Sequence, residues 1–208
     1  MSWCERFAVL LDGEYVKKTL WKRSKRDPDS SAVMSEVKRI RATGDLAQRD
    51  LYRVFYYTAD PLAAKAMNPL TRETVDFGAT PVHQRNTRLI DQLENQRDVA
   101  VRRGTLAHQG WEIGKSAMRA LTLGQKQSIE AADLVPKIVQ KGVDVRIGLD
   151  IASLSLKRLV NLIVLVTGDA DLVPAMKFAR REGVRLYLDT LGAKHVRAEL
   201  KVHADVIL

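Results

Sequence analysis

Short apolar blocks and longer amphipathic blocks alternate along the whole chain. RFAVLLD (Arg6 to Asp12) is a nearly continuous apolar run, the pattern of a strand buried on both faces. A basic stretch, Lys17 to Ser31, ends in turn-forming residues, and AVMSEVKRIRAT then spaces Val33, Val37 and Ile40 as a helix does. DLYRVFYYTAD, rich in aromatic and β-branched residues, predicts a second strand. Pro61, Pro69, Gly78 and Pro81 interrupt the next segment, which reads as an insertion at about 61–87 within one domain spanning 1–208. RLIDQLENQRDVAVRRGTLA predicts a helix running into a strand near Val99 to Leu106. QSIEAADLVPKIVQKG predicts a further helix, with Gly142 as its C-cap. The last third is sharper: NLIVLV is a buried strand, and DLVPAMKFARREG is a helix capped by Asp171 and closed by Gly183. VRLYLD is another strand, and a final helix and short strand complete the chain. Strands alternating with helices predict an α/β fold, a mostly parallel central sheet flanked by helices on both faces.

Charge narrows the range of partners. Among 208 residues, 34 are Lys or Arg and 25 are Asp or Glu, a formal charge of +9 that favours polyanions, nucleic acid first. No apolar run approaches the roughly 20 residues of a spanning helix, so a membrane is not the expected partner. The amino terminus, with Glu5 and Arg6 close behind Met1, is a poor secretory signal. Cys4 is the only cysteine, which excludes an intrachain disulfide and a cysteine-rich zinc site and suits a reducing cytoplasm.

The chemistry concentrates at strand ends. In open α/β sheets, sites form beyond the carboxyl ends of the strands, where the strand order reverses. Asp12 ends the first strand, while Asp169 and Asp171 follow NLIVLV. If those strands are neighbours, three carboxylates meet in one crevice. Like charges there raise one another's pKa and call for a cation, and hard oxygen ligands suit Mg²⁺ or Mn²⁺ acting on phosphates. Each residue alone has an ordinary explanation, since Asp171 can cap a helix and Gly13 and Gly168 can serve turns. The joint placement is what points to a site.

Taken together, LLDGEY (Leu10 to Tyr15), QKGVDV (Gln140 to Val145) and LVTGDADLVPAMKFARREGV (Leu165 to Val184) resemble the NYN-domain family of PIN-like ribonucleases. The resemblance spans most of the chain and is weakest from Pro61 to Thr87. It implies Asp12, Asp144, Asp169 and Asp171 as the metal-binding and catalytic acids, with Asp150 peripheral. It also implies a helix for GVDVRIGLDIASL, whose apolar positions alternate as in a strand. Two positions depart from the family pattern: Tyr15 stands where an Asn is usual, and Leu172 where a Phe is usual. The expected activity is Mg²⁺- or Mn²⁺-dependent hydrolysis of RNA, with DNA left open as a second substrate.

Candidate contacts to RNA are Lys17, Lys18, Trp21, Lys22, Arg23, Lys25 and Arg26, directly behind the first acidic turn, with Arg102 and Arg103. Arg180, Arg181 and Lys194 are further candidates. The four histidines fall in no triad or metal-ligand spacing. Trp3, Phe55 and Tyr56 fit a core better than a dimer surface, and homo-oligomerisation stays open. Two other functions fit the same residues. A non-catalytic RNA-binding or scaffold protein would keep the fold without metal affinity. A haloacid dehalogenase-type phosphatase would use Asp12 as nucleophile, but wants an Asp where Glu14 stands.

Overall fold

The computed structural model describes residues 5–193 and 195–208, so Trp3, Cys4 and Lys194 lie outside the described residues. The elements in order are β1 (Arg6–Asp12), α1 (Gly13–Ser24), α2 (Ser30–Arg41), β2 (Asp50–Ala59), β3 (Lys65–Met67), β4 (Thr74–Asp76), α3 (Pro81–Glu94) and β5 (Val99–Ile113). They continue with α4 (Lys115–Thr122), β6 (Leu134–Lys141), α5 (Val143–Leu156), β7 (Leu162–Val166), α6 (Val173–Arg181), β8 (Arg185–Asp189), α7 (Ala198–Val202) and β9 (Val206–Ile207). Seven strands form one sheet in the order β6-β5-β2-β1-β7-β8-β9. The pairs β1–β2, β1–β7, β7–β8 and β8–β9 are all parallel. This is the mostly parallel α/β architecture expected from the alternation of blocks.

Packing divides the chain into two compact units. The first holds residues up to Thr58, Leu89–Gly104 and Gly142 onward. Its central strands are continuous apolar runs because both faces are covered. Phe7, Val9, Leu11, Val54, Tyr56 and Val164 meet Val16, Leu20, Val33, Val37, Ile40 and Leu93 from α1, α2 and α3. Strand alternation sends Ala8, Leu10 and Asp12 of β1 to the opposite face, where Ile147, Ile151 and Leu154 of α5 and Met176 of α6 are buried. The second unit holds Ala59–Arg88 and Thr105–Lys141. In it the second half of β5 pairs antiparallel with β6, and β3 pairs antiparallel with β4. His108 of β5 lies between the rings of Phe77 and Trp111, with centroids at 5.5 and 5.9 Å.

Three local expectations are corrected. The segment expected as a helix before Gly142 is instead the strand β6, where Val135, Ile138 and Val139 favour extended backbone and Pro136 opposes a helix interior. Gly142, expected to end a helix, starts one: it stands at the N-cap of α5 in the left-handed conformation, φ +75°. Asp171 does not cap α6. Asp169 caps the short 3-10 turn Ala170–Leu172 that leads into it, accepting a hydrogen bond from the Asp171 amide. The helix implied over Val143–Leu156 is present as α5, and Phe55 and Tyr56 are core residues at 4% and 1% exposure.

Candidate metal centre at the carboxyl edge of the sheet

β1 lies between β2 and β7, so the chain leaves β1 toward one side and returns on the other. This is the reversal point at which an α/β crevice opens. Asp12 is the last residue of β1, 9% exposed, and it doubles as the N-cap of α1. Its Oδ1 accepts from the amides of Glu14 and Tyr15 at 3.2 Å each. Its Oδ2 accepts from the hydroxyl of Thr167, 3.0 Å away and fully buried just beyond β7. The Asp169 amide in turn donates to Thr167 Oγ1 at 3.1 Å, and the Asp171 amide donates to Asp169 Oδ1 at 3.0 Å. A chain of hydrogen bonds thus ties the end of β1 to the acidic turn after β7, 155 residues away.

The fourth acid arrives on α5. Asp144 sits in the first turn of that helix, exposed, and accepts no hydrogen bond or ion pair from the described residues. Burial pushes its carboxyl above the usual carboxylate range, and the charges of Asp169, Asp171 and Glu14 push it further. The Asp12 carboxyl is also raised, chiefly by burial and then by Asp144 and Glu14, against the lowering effect of its hydrogen bonds from Tyr15 and Thr167. Three helix amino termini, those of α1, α5 and the turn into α6, face this group and offset part of its charge. Asp12 and Asp169 therefore act as caps, whereas Asp144 and Asp171 stand in first helical turns with carboxylates that make no hydrogen bond or ion pair among the described residues.

The donor set, a few carboxylates of which two are exposed, is of the kind that suits a hard divalent cation. Among the described residues, no three acidic, histidine or cysteine side chains already converge on one ion-sized position. Asp144 and Asp171 are exposed, and no hydrogen bond or ion pair holds their carboxylates among the described residues. Asp150 points elsewhere, accepting from the Tyr57 hydroxyl and from Arg102 Nε at 2.9 Å each.

Tyr15, at the position where the family usually has Asn, braces the site. Its hydroxyl donates to the Thr190 carbonyl at 2.7 Å, and its ring covers Gly168, where an added Cβ would lie 2.5 Å from Tyr15 Cε2. Position 168 is closed to any side chain while that ring is in place. Gly13 is equally constrained, since a Cβ there would meet the Tyr57 carbonyl oxygen at 2.4 Å.

The basic residues divide by what already holds them. Lys18 pairs with Glu14, Arg23 with Glu36 and the Leu191 carbonyl, Arg102 with Asp150, and Arg103 with Glu94. Lys17 is half-buried and its ammonium is depressed by burial, against the raising effect of Glu14, Asp27 and Asp12. Lys22, Lys25 and Arg26 are exposed, and Lys25 lies over the ring of the half-exposed Trp21, 5.0 Å from its centroid. Asp189 was not anticipated as a site-edge residue. It ends β8 fully buried and pairs with Arg39, which also binds Glu36. The rule that singled out Asp12, an acid closing an apolar strand, applies equally to VRLYLD.

No helix among the described residues is long and apolar enough to cross a membrane. No curated protein matches the sequence at a significant level. In three dimensions the chain is similar to the crystal structure of a protein of unknown function from Vibrio parahaemolyticus, with a TM-score of 0.52 and 13% identity, covering 100% of this chain and 94% of that one. At that identity the likeness speaks for the fold alone. The family model described as NYN domain matches residues 86–207, more than half of the chain, including α5, the acidic turn after β7 and α6. The chain therefore belongs to the NYN domain family, a generally nuclease-like group within the PIN-like superfamily.

Proposed function

We propose that this protein is a Mg²⁺- or Mn²⁺-dependent ribonuclease whose cation is held by Asp12, Asp144, Asp169 and Asp171. The observation that carries this reading is the joint placement of two capping acids, tied together through Thr167, with two acids whose carboxylates make no hydrogen bond or ion pair among the described residues and whose charges bear on one another. Caps alone would account for Asp12 and Asp169 but not for the repulsion that Asp144 and Asp171 add to the same group. When bound, the cation lowers the pKa of an attacking water and offsets charge on the phosphoryl oxygens. The side chains contribute orientation. Asp12 is locked by two amides and a hydroxyl, Asp169 by the turn it caps, and the Tyr15 ring packs against Gly168 between them. RNA would reach the crevice past Lys22, Lys25, Arg26 and the exposed face of Trp21, which follow Asp12 on α1 and just beyond it.

Asp169→Asn and Asp12→Asn test the assignment, because asparagine keeps one oxygen for the cap while removing the charge; at position 12 it also replaces the oxygen that accepts from Thr167. With labelled RNA and Mn²⁺, each variant is expected to lose at least about 100-fold in cleavage rate, the scale of removing one electrostatic stabiliser. Undiminished cleavage in both would refute it. A second reading, a non-catalytic RNA-binding protein on the same fold, is favoured by Tyr15, whose ring fills space beside Gly168 that a short amide would leave open. RNA binding without Mn²⁺-dependent cleavage in the wild type would decide for that reading.

A further inference from the structure

The amino ends of β1, β7 and β8 lie at the opposite edge of the sheet from the acids and carry a different kind of surface. An open cavity of about 540 Å³ there is lined by Lys177, Arg180, Arg181, Arg185, His203 and Asp205, with Gly183 and Val184 as its floor. A second cavity of about 320 Å³ shares Gly183 and Val184 and adds Arg6 and Arg158, with Glu182 as its acid. We propose that these adjoining cavities form one groove that binds the phosphate backbone of a single RNA strand.

The acid inside the first cavity is already engaged. Asp205 Oδ1 pairs with Arg180 Nε at 3.1 Å, and its Oδ2 accepts from the Leu186 amide at 2.7 Å. That pairing braces Arg180 rather than leaving a repulsive carboxylate in the groove. Arg185 is held over the Tyr187 ring, 5.2 Å from the centroid, and reaches Asp45 only at 3.9 Å. Lys177 and Arg181 stand one helical turn apart on α6, exposed and without a partner among the described residues. Arg6 is held differently: its guanidinium lies over the Tyr52 ring, 5.6 Å from the centroid, with Nε buried and without a hydrogen-bond partner among the described residues, so the free cations that α6 lends the groove are Lys177 and Arg181. Unpaired cations beside braced ones, along an open groove rather than a closed pocket, suit an extended polyanion better than a small phosphate ester.

The groove deepens the ribonuclease reading and rests on it for the identity of the ligand. α6 begins immediately after the acidic turn and ends at Arg181, so its nine residues span about 13 Å between the two places. A strand whose scissile phosphate sits at the acids can follow this helix and seat its next phosphates in the groove. Such contacts strengthen binding without reading sequence.

The test uses the full chain carrying Lys177→Glu and Arg181→Glu together. Binding is measured in EDTA on an Asp169→Asn background with a single-stranded RNA of about 20 nucleotides, long enough to cover both places. The expected result is at least a tenfold loss of affinity at moderate salt, with the slope of log K against log salt reduced by about 1.4, two single-strand contacts' worth. Unaltered affinity and slope would overturn the groove. So would an equal loss in Lys38→Glu with Arg41→Glu, which changes net charge identically on the exposed side of α2. Because the binding arm uses neither metal nor turnover, failure of the ribonuclease reading and failure of the groove give different results.

Discussion

A methyl group at position 168 would strike a tyrosine ring that has little freedom to move, because the Tyr15 hydroxyl is tied to the Thr190 carbonyl at 2.7 Å. Gly168→Ala is therefore expected to cost about 1–3 kcal/mol, the usual range for overpacking. Chemical denaturation should show Tyr15→Asn recovering most of that loss in the double variant, since the three atoms nearest the added carbon all belong to that ring. A double variant no more stable than Gly168→Ala alone would place the strain elsewhere. Asp144 supports a prediction of opposite sign. Its folded-state carboxyl is raised above 3.8, so it holds its proton to a higher pH in the native chain than in the unfolded one. The associated stability is present below about pH 3.8 and is lost as pH rises through the raised value, leaving ionised Asp144 unfavourable at neutral pH. Without divalent cations, Asp144→Asn should raise the melting temperature at pH 7 by roughly one or two degrees, a small shift because the group is largely solvated. The gain should fade below pH 4. A lower melting temperature at pH 7 would mean that a native interaction holds the carboxylate. At this scale Asp12, Asp169 and Asp171 are legible in the sequence because each follows an apolar strand, whereas Asp144 enters only through the family resemblance of QKGVDV. The roles of Tyr15 and Thr167 are not legible there, because a ring clamp and a bridge across 155 residues depend on which strands become neighbours.

Between elements, polar contacts hold the layers in register where the apolar core leaves latitude. Arg39 on α2 binds Glu36 on its own helix and Asp189 at the end of β8, and Glu36 also receives Arg23 from α1. Asp189 is fully buried, so removing its cation strands a charge in the protein interior. Arg39→Met should cost about 3–5 kcal/mol in urea unfolding, whereas the paired change Arg39→Met with Asp189→Leu should recover much of that loss. If the single variant costs under about 0.5 kcal/mol, the pair is no more than a surface contact. The same scale explains which elements could be anticipated. β1, β2, β7, β8 and α6 announce themselves because both strand faces or a whole helix stripe are apolar. α1 was hidden by its charge, with Val16 and Leu20 its only buried side chains besides Gly13. β6 was mistaken for a helix because its alternation is interrupted by Pro136 and it contributes no fully buried residue. α5 shows the reverse ambiguity. Val145 and Leu149 mimic a strand period, but they are exposed, and Val143, Ile147, Ile151 and Leu154 form the buried stripe.

Over the whole molecule, charge is arranged in opposition: a net +9 chain confines Asp12, Asp144, Asp169 and Asp171 to the carboxyl edge of its sheet and places an arginine-rich groove at the amino edge. A net positive chain draws a polyanion in, but the acids repel a phosphate unless a cation lies between them. Divalent-cation capture by acids from remote parts of the chain is therefore the step on which the proposed chemistry depends. Calorimetric titration of the full chain with Mn²⁺, in parallel with Asp12→Asn, measures it directly. Saturable binding in the wild type that is lost or weakened at least tenfold in the variant is the predicted result. No measurable heat in the wild type, or equal binding in both proteins, would contradict it.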